Sequence, residues 1–226
     1  MSAQKLVIFD LDGTLIDTEI LMVESVVAAF NKIDHAAPDE KSIRAISGLG
    51  LVKGFAKIAP RLEDREMDRL KKYYQEIYLQ SASASMRESL FGGALAALKT
   101  LAVRKDLLIS VATGKSGSGT DRVLRAHNIL PLFTSVHTPD TNRSKPDPDM
   151  VHSAMGIASS ELQSTLMIGD TVHDINMAVA AGVKSIGVNW GYHTSDELIK
   201  AGADVLVDDF SQMLAEIDNL VGGDNA

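Results

Sequence analysis

The sequence predicts an α/β fold: a doubly wound, parallel, Rossmann-like sheet that carries an inserted helical unit. The first observation is a series of short apolar runs, a pattern typical of strands buried on both faces of a parallel sheet. These runs are residues 6–9, 107–112, 166–168, 186–188 and 205–207. The second observation is the helix-like sequence between most of them. The third is a long stretch, residues 17–88, that is rich in helix formers and has no clear strand run.

Residues 1–16 and 89–226 are predicted to form the core that contains the sheet. The helix-like stretches 116–127 and 172–181 each follow a strand-like run, as they do in a sheet covered by helices. A weaker strand is expected at residues 132–136.

Residues 17–88 are predicted to form a separate helical unit inserted into this core. Apolar residues recur at helical spacing near both of its ends, which is typical of amphipathic helices. They are Met22, Val26, Val27 and Phe30, and then Leu70, Tyr73, Tyr74 and Ile77. Between them, residues 47–51 (SGLGL) interrupt the helical pattern, and their glycines permit either a simple turn or a close backbone approach to a ligand.

Composition narrows the functional classes. Of the 226 residues, 45 % are hydrophobic and 23 % are charged, and no apolar run is long enough to cross a bilayer, so no membrane association is expected. The net charge of −8 disfavours broad nucleic-acid binding, which usually needs a cationic face. The absence of cysteine excludes disulfides and thiolate zinc sites. A strand-like run begins close to Met1, leaving no room for a secretory signal, so a cytoplasmic location is expected.

The first chemical motif is an acidic pair, Asp10 and Asp12, in the sequence DLDGT at residues 10–14. The pair directly follows the apolar run 6–9, and ligands of open α/β sheets bind outside the carboxyl ends of the strands. In isolation, a turn with a helix cap would explain these residue types equally well.

A second acidic pair, Asp170 and Asp174, lies in the sequence GDTVHD and follows another buried run. Taken singly, Asp170 is explained by a helix N-cap. If the two strands are neighbours, however, Asp10, Asp12 and Asp170 converge as hard oxygen ligands of the type that Mg²⁺ prefers. The joint pattern therefore predicts a Mg²⁺ site.

Clustered carboxylates that handle phosphate need positive and hydroxyl partners nearby. Thr113 ends the run 107–112, so that its hydroxyl and the amides from Gly114 onward are expected to hold phosphate oxygens. Lys145 lies in SKPDP, where two prolines stiffen the backbone and give the ammonium a defined direction. A helix cap and a surface lysine are the simpler alternatives for Thr113 and Lys145.

Other motifs are incomplete. The sequence around Gly114 lacks the earlier glycine of a P-loop, and a glycine-rich stretch at residues 117–119 lacks the third glycine of a dinucleotide fingerprint. The six histidines show no metal-binding spacing, and His173 and His193 are expected to be polar surface or rim residues.

Taken in order, DLDGT, Thr113, SKPDP and GDTVHD resemble the motifs of the haloacid dehalogenase superfamily of phosphotransferases, and the helical insertion resembles that family's cap. The resemblance implies that Asp10 attacks phosphorus and becomes an aspartyl-phosphate. It implies that Asp12 protonates the leaving oxygen and then activates water. Dehalogenating members generally lack an acid at the position of Asp12, so this residue favours phosphate chemistry.

The same resemblance implies the remaining roles. Mg²⁺ would bind the Asp10 carboxylate, the Asp12 backbone carbonyl and Asp170, while Thr113 and Lys145 hold the phosphoryl oxygens. Asp174 would support Lys145 or a metal-bound water. Many relatives carry asparagine where this chain has Gly114, which puts one substrate-orienting hydrogen bond in doubt.

Within the superfamily, three segments are similar to those of phosphoglycolate-phosphatase-like members: LIDTE at residues 15–19, SGLGL at 47–51 and VNWGYHTSDEL at 188–198. The expected substrate is therefore a small phosphorylated metabolite such as phosphoglycolate or a sugar phosphate. A phosphosugar mutase and a non-catalytic, Mg²⁺-dependent phospho-receiver are the alternatives. A cap inserted after the nucleophile is expected to close over the site. Arg44 and Gly48 are its candidate substrate contacts, and a monomer or homodimer is expected.

Overall fold

The computed structural model describes residues 4–85 and 88–222, and all statements below concern these residues. The strands are β1 (Lys5–Phe9), β2 (Ile16–Asp17), β3 (Ser89–Leu90), β4 (Leu107–Ala112), β5 (Ser135–His137), β6 (Thr165–Gly169), β7 (Lys184–Val188) and β8 (Val205–Val207). The helices are α1 (Glu19–Lys32), α2 (Glu40–Arg44), α3 (Leu51–Ile58), α4 (Asp64–Ser85), α5 (Ala94–Ala102), α6 (Gly117–Ala126), α7 (Asp149–Ala158), α8 (Val172–Ala181), α9 (Ser195–Ala201) and α10 (Phe210–Gly222).

Six strands form one parallel sheet in the order β5-β4-β1-β6-β7-β8. The chain first builds outward from β1 through β4 and β5, and then returns to the other side of β1 with β6. The strand order therefore reverses between β1 and β6, which is where ligands bind in doubly wound sheets. The predicted α/β fold with a parallel sheet is confirmed.

Successive residues of β1 point to opposite faces of the sheet, and each face has its own apolar cluster. Val7 and Phe9 pack with residues of α5, α6 and α10, whereas Leu6 and Ile8 pack with residues of α7 and α8. Burial on both faces explains why the strand sequences are continuous apolar runs rather than alternating ones.

The five clear strand predictions are confirmed, but the weaker one is displaced toward the carboxyl terminus. Residues Leu130–Leu132 form a 3₁₀ turn with Pro131 near its start, and the strand occupies only Ser135–His137. Proline fixes φ near the helical value and lacks the N–H that a strand would use, so the apolar run begins as a turn.

Helices α1 to α4 lie between β2 and β3, which pair antiparallel through Ile16↔Leu90 and Asp17↔Ser89. This pairing brings the entry and exit of the inserted segment side by side. The segment has a hydrophobic cluster of its own, which includes Val26, Phe30 and Leu70. In the described part of the chain, no helix is both long enough and apolar enough to span a bilayer.

Candidate active site

Three of the predicted site residues lie side by side because they follow three neighbouring strands. Asp10 follows β1, Thr113 follows β4 and Asp170 follows β6. Phe9, the residue before Asp10, is in register with Val111 on one side and Ile168 on the other. The motif residues therefore emerge together at the carboxyl edge of the sheet, at the point where the strand order reverses.

A buried acidic cluster occupies this edge. Asp10, Asp170 and Asp174 each offer a carboxylate oxygen within 4.8 Å of the other two. Lys145 Nζ lies 2.7 Å from Asp10 Oδ1 and 2.5 Å from Asp174 Oδ1, and its side chain is 0 % exposed. Among these four side chains there are three potential negative charges and one positive charge.

Hydrogen bonds from threonine hydroxyls and backbone N–H groups fix the carboxylates of Asp170 and Asp174. Asp170 accepts from the Thr14 hydroxyl at 2.7 Å and from the Tyr192 N–H at 2.9 Å. Asp174 Oδ2 accepts from the Thr171 hydroxyl and N–H at 2.7 and 3.0 Å. Thr171, and not Asp170, is the N-cap of α8. Asp170 is thus not used for capping, and its carboxylate is turned to the cluster.

The electrostatics of the cluster favour a cation. Burial raises the pKa of Asp10 from 3.8 to about 7, although the Lys145 ammonium opposes the shift. Burial and the charges of Asp10 and Asp174 raise the pKa of Asp170 well above its ordinary value. Burial would lower the pKa of Lys145, but the two neighbouring carboxylates raise it instead.

Asp10 Oδ2 is buried and receives no hydrogen bond from any residue that the structure describes. Such a buried, unpaired carboxylate oxygen beside a second carboxylate is costly unless a cation compensates it. Oxygen donors of this kind suit Mg²⁺, so the residues present fit the metal that the motifs imply.

Asp12 is not one of the three clustered carboxylates, and its contacts are different. Its Oδ1 atom accepts a hydrogen bond from Thr18 at 3.0 Å and pairs with Lys115 Nζ at 3.0 Å, and its side chain is 21 % exposed. Asp12 lines an open cavity, as Asp10 also does.

The cavity has a volume of about 530 Å³ and lies between the strand ends and the inserted helices. Asp10, Asp12, Thr113 and Gly114 line its core side. Residues of α1, α3 and α4 line the opposite side, together with Gly48. Its volume falls within the range of about 300–1,000 Å³ that is typical of small-molecule binding sites.

The expectation for Arg44 requires correction, because this residue does not line the cavity. Its guanidinium contacts Glu19 Oε1 at 2.5 Å and Glu40 Oε2 at 3.3 Å, and the two carboxylates hold the side chain at the surface.

Gly48 and Gly114 mark a close contact between the inserted segment and the core. A Cβ atom added at Gly48, where φ is +80°, would lie 2.7 Å from Thr171 Oγ1. A Cβ atom added at Gly114 would lie 2.5 Å from the Gly48 carbonyl oxygen. The loop at residues 47–50 therefore occupies the space that a side chain at position 114 would need.

A second polar group at the cavity was not predicted. Lys115 Nζ donates to Tyr78 Oη at 3.0 Å and lies 3.4 Å from Glu88 Oε1, and Arg122 holds the same carboxylate at 2.6 and 3.0 Å. Burial would lower the pKa of Lys115, but Asp12 and Glu88 raise it. The only sequence signal was the position of Lys115, two residues beyond Thr113 at the same strand end.

The histidine expectation was wrong. His173 and His193 are both buried, with ring centroids 5.8 Å apart. His193 Nδ1 accepts from the Val172 N–H at 3.1 Å, and His173 Nε2 lies 3.3 Å from the Ala45 carbonyl oxygen. The pair fills the contact between α8 and the segment after α2.

Comparison with known proteins agrees with this geometry. Residues 7–188 match the family model described as haloacid dehalogenase-like hydrolase. The chain is 35 % identical over 211 residues to "Probable phosphatase IndB" of Dickeya dadantii, covering 92 % of this chain and 91 % of the relative. It is 27 % identical over 195 residues to a phosphoglycolate phosphatase of Mesorhizobium japonicum, covering 84 % and 85 %.

Among solved structures, a crystal structure titled as a predicted phosphatase from Clostridium acetobutylicum superposes with a TM-score of 0.82 at 26 % identity. The match covers 97 % of this chain and all of that one, 100 %. The resemblance inferred from the four motifs is thereby confirmed, and the chain belongs to the haloacid dehalogenase-like hydrolase family.

Proposed function

We propose that this chain is a Mg²⁺-dependent phosphatase that hydrolyses a small phosphate monoester through a phosphoryl group carried on Asp10. The observation that supports this most strongly is the environment of Asp10. Its carboxylate is buried against the Lys145 ammonium at 2.7 Å and yet lines the cavity of about 530 Å³. A carboxylate placed in this way is suited to nucleophilic attack on phosphorus.

The carboxylates of Asp10 and Asp170 would hold Mg²⁺, together with the Asp12 backbone carbonyl that the family resemblance implies. When bound, the cation offsets the repulsion between the carboxylates and the phosphate. Asp174, at 2.5 Å from Lys145 Nζ, keeps that ammonium beside Asp10. Lys145, the Thr113 hydroxyl and the Gly114 amide would bind the phosphoryl oxygens.

Asp10 attacks phosphorus while the bond between phosphorus and the leaving oxygen breaks. Asp12 gives its proton to that oxygen, and an alcohol is released. Asp12, now ionised, then accepts a proton from water as the water attacks the aspartyl-phosphate, and inorganic phosphate leaves. The placement of Asp12 on the cavity side, with its carboxylate held by Lys115 and Thr18 at 3.0 Å each, suits both proton transfers.

The phosphosugar mutase and the phospho-receiver are the alternatives, and no contact described above favours either. A receiver needs neither the acid at Asp12 nor a cavity of about 530 Å³. A mutase must bind a second phosphate, but Lys115 and Arg122, the basic side chains among the described lining residues, already contact carboxylates.

The proposal is tested by phosphate release from phosphate monoesters with and without Mg²⁺. Asp10→Asn should abolish turnover while retaining the fold, and Asp12→Asn should reduce it by about 100- to 10,000-fold. Asp17→Asn, an exposed neighbour on β2, is the matched control and should leave the rate unchanged. Wild-type protein quenched during turnover should carry one phosphoryl group that hydroxylamine removes. Retained activity in Asp10→Asn, or full activity after metal removal, would contradict the proposal.

A further inference from the structure

The wall of the cavity that faces Asp10 and Asp12 is apolar and aromatic. It is formed by residues of the inserted segment, including Met22, Val26, Ile46, Phe55, Tyr74 and Leu79. The Phe55 and Tyr74 rings meet edge to face with their centroids 5.3 Å apart, and the centroids of the Tyr74 and Tyr78 rings are 5.7 Å apart. The part of a substrate that lies beyond the phosphate would therefore contact hydrocarbon and ring surfaces.

The cations at this cavity are already paired. Among the described lining residues outside the acidic cluster, the basic side chains are Lys115 and Arg122. Lys115 contacts Asp12 at 3.0 Å and Glu88 at 3.4 Å, and Arg122 holds Glu88 with two hydrogen bonds. Both cations contact Glu88, and Lys115 also pairs with Asp12 while that carboxylate is ionised. A second anionic group on the substrate would therefore find no cation without a carboxylate partner among these residues, and it would lose its hydration against an apolar wall.

We propose that the natural substrate is a phosphate monoester whose leaving group is uncharged and carries a planar ring, which packs against Tyr74, Leu79 and the neighbouring aliphatic side chains. This inference rests on the proposed function, because it takes the phosphate to lie at Asp10. Aromatic rings meet one another favourably edge to face or offset-stacked, so a ring seated beside Tyr74 would be stabilised by that contact. Gln75, which also lines the cavity, can accept or donate one hydrogen bond at the edge of the ring.

The proposal differs from the expectation of a phosphoglycolate-like substrate. Phosphoglycolate carries a carboxylate next to the phosphate, and pyrophosphate carries a second phosphate, so both place an anion in the apolar part of the cavity. A two-carbon acid also fills little of the space of about 530 Å³.

The test compares kcat/KM, with Mg²⁺ present, for three monoesters of primary alcohols and one anhydride. The esters are benzyl phosphate, butyl phosphate and phosphoglycolate, and the anhydride is pyrophosphate. We expect benzyl phosphate to exceed butyl phosphate, and to exceed both anionic compounds by roughly tenfold or more, as one misplaced group in an apolar pocket costs about that factor. Phosphoglycolate or pyrophosphate as the best substrate would overturn the inference and leave the proposed function standing. Mg²⁺-dependent hydrolysis of none of the four would overturn the proposed function and this inference with it.

A matched pair of variants tests the wall directly. Leu79 lines the cavity at 47 % exposure, whereas Val52, 65 % exposed on α3, does not line it. Leu79→Lys should lower the ratio of benzyl phosphate to phosphoglycolate activity by roughly tenfold, because it adds a cation to the apolar side. Val52→Lys should leave the ratio unchanged. The same change in both variants, or none in Leu79→Lys, would contradict seating of the leaving group on this wall.

Discussion

At the scale of single residues, Lys145 has two roles: its charge stabilises the buried acidic cluster, and in the proposed reaction it binds the phosphoryl group. Its ammonium is fully buried between Asp10 and Asp174, at 2.7 and 2.5 Å, so its charge compensates carboxylates that water cannot reach. Removing one partner of a buried ion pair leaves the other charge uncompensated, which costs far more than losing an exposed pair. The site is therefore dependent on Lys145 even before a substrate arrives.

We expect Lys145→Met to lower the free energy of unfolding of the metal-free protein by about 3–5 kcal/mol. The matched control is Lys184→Met, which breaks a 2.7 Å pair with Asp204 on a lysine that is 55 % exposed. Its cost should be at most about 1 kcal/mol. Urea unfolding at constant slope measures both values. Equal losses in the two variants would show that the Lys145 charge is not needed to compensate the cluster.

At the scale of elements, the contact between the loop at residues 47–50 and the strand ends decides how closely the inserted helices approach the core. A Cβ atom at Gly114 would lie 2.5 Å from the Gly48 carbonyl oxygen and 2.8 Å from that of Leu49. These are backbone atoms, so a side chain at this position must displace the loop rather than merely rotate a neighbour.

We expect Gly114→Ala to hold the inserted segment away from the core and to reduce kcat/KM by roughly tenfold or more, because misplacement of about 1 Å is known to have large effects on rate. Gly156→Ala, in α7, is the control, since nothing lies within 4 Å of its added Cβ atom. That variant should keep full activity and gain roughly 0.5–1 kcal/mol of stability from the better helix propensity. Full activity in Gly114→Ala would contradict a role for this contact in catalysis.

The same scale shows what could be predicted from sequence. Each clear apolar run forms a strand in the structure. A strand that is buried on both faces of a parallel sheet needs apolar residues at consecutive positions, so it can be recognised in the sequence. The strand order could not be read in this way, since periodicity carries no information about which strands pair. Proximity of Asp10 and Asp170 followed only from assuming that β1 and β6 are neighbours, which they are.

The apolar and aromatic wall of the cavity was not predicted from the sequence, and the reason is physical. Tyr74 and Phe55 lie on stripes that pack the inserted helices together, and the same rings also face the cavity. Apolar residues at helical spacing indicate that one face of a helix is buried, but they do not indicate which residues of that face remain free to line a cavity. The prediction that Arg44 contacts the substrate was wrong for a related reason. Its partner Glu19 lies 25 positions earlier in the sequence, and a local sequence pattern does not indicate so distant a contact.

At the scale of the whole molecule, the acidic cluster links folding to pH and metal. The pKa of Asp10 rises from 3.8 to about 7 mainly through burial, and that of Asp170 rises well above its ordinary value. In the unfolded chain these carboxyl groups lose their protons at about pH 4. Above that pH, the folded metal-free protein retains protons that the unfolded chain has released. Stability from these groups is complete below about pH 4 and is lost as the pH rises through about 7.

Mg²⁺ should act in the opposite sense, because only ionised carboxylates bind it and binding to the folded state raises stability. We therefore expect added Mg²⁺ to raise the Tm of the wild-type protein more at about pH 8 than at about pH 5.5. Comparing samples with and without Mg²⁺ at each pH cancels the contribution of other titrating groups.

Asp170→Asn separates the two effects. Its amide can still accept from the Tyr192 N–H and donate to the Thr14 hydroxyl, the two groups that now contact the carboxylate at 2.9 and 2.7 Å. Without metal at about pH 8, this variant should be more stable than wild type, because it removes a buried charge, and it should lose most of the Mg²⁺-induced rise in Tm. Asp204→Asn, which alters a surface pair with Lys184, should keep the wild-type response to Mg²⁺. An equal Mg²⁺ response at the two pH values, or an undiminished response in Asp170→Asn, would mean that the cation binds elsewhere than at the cluster.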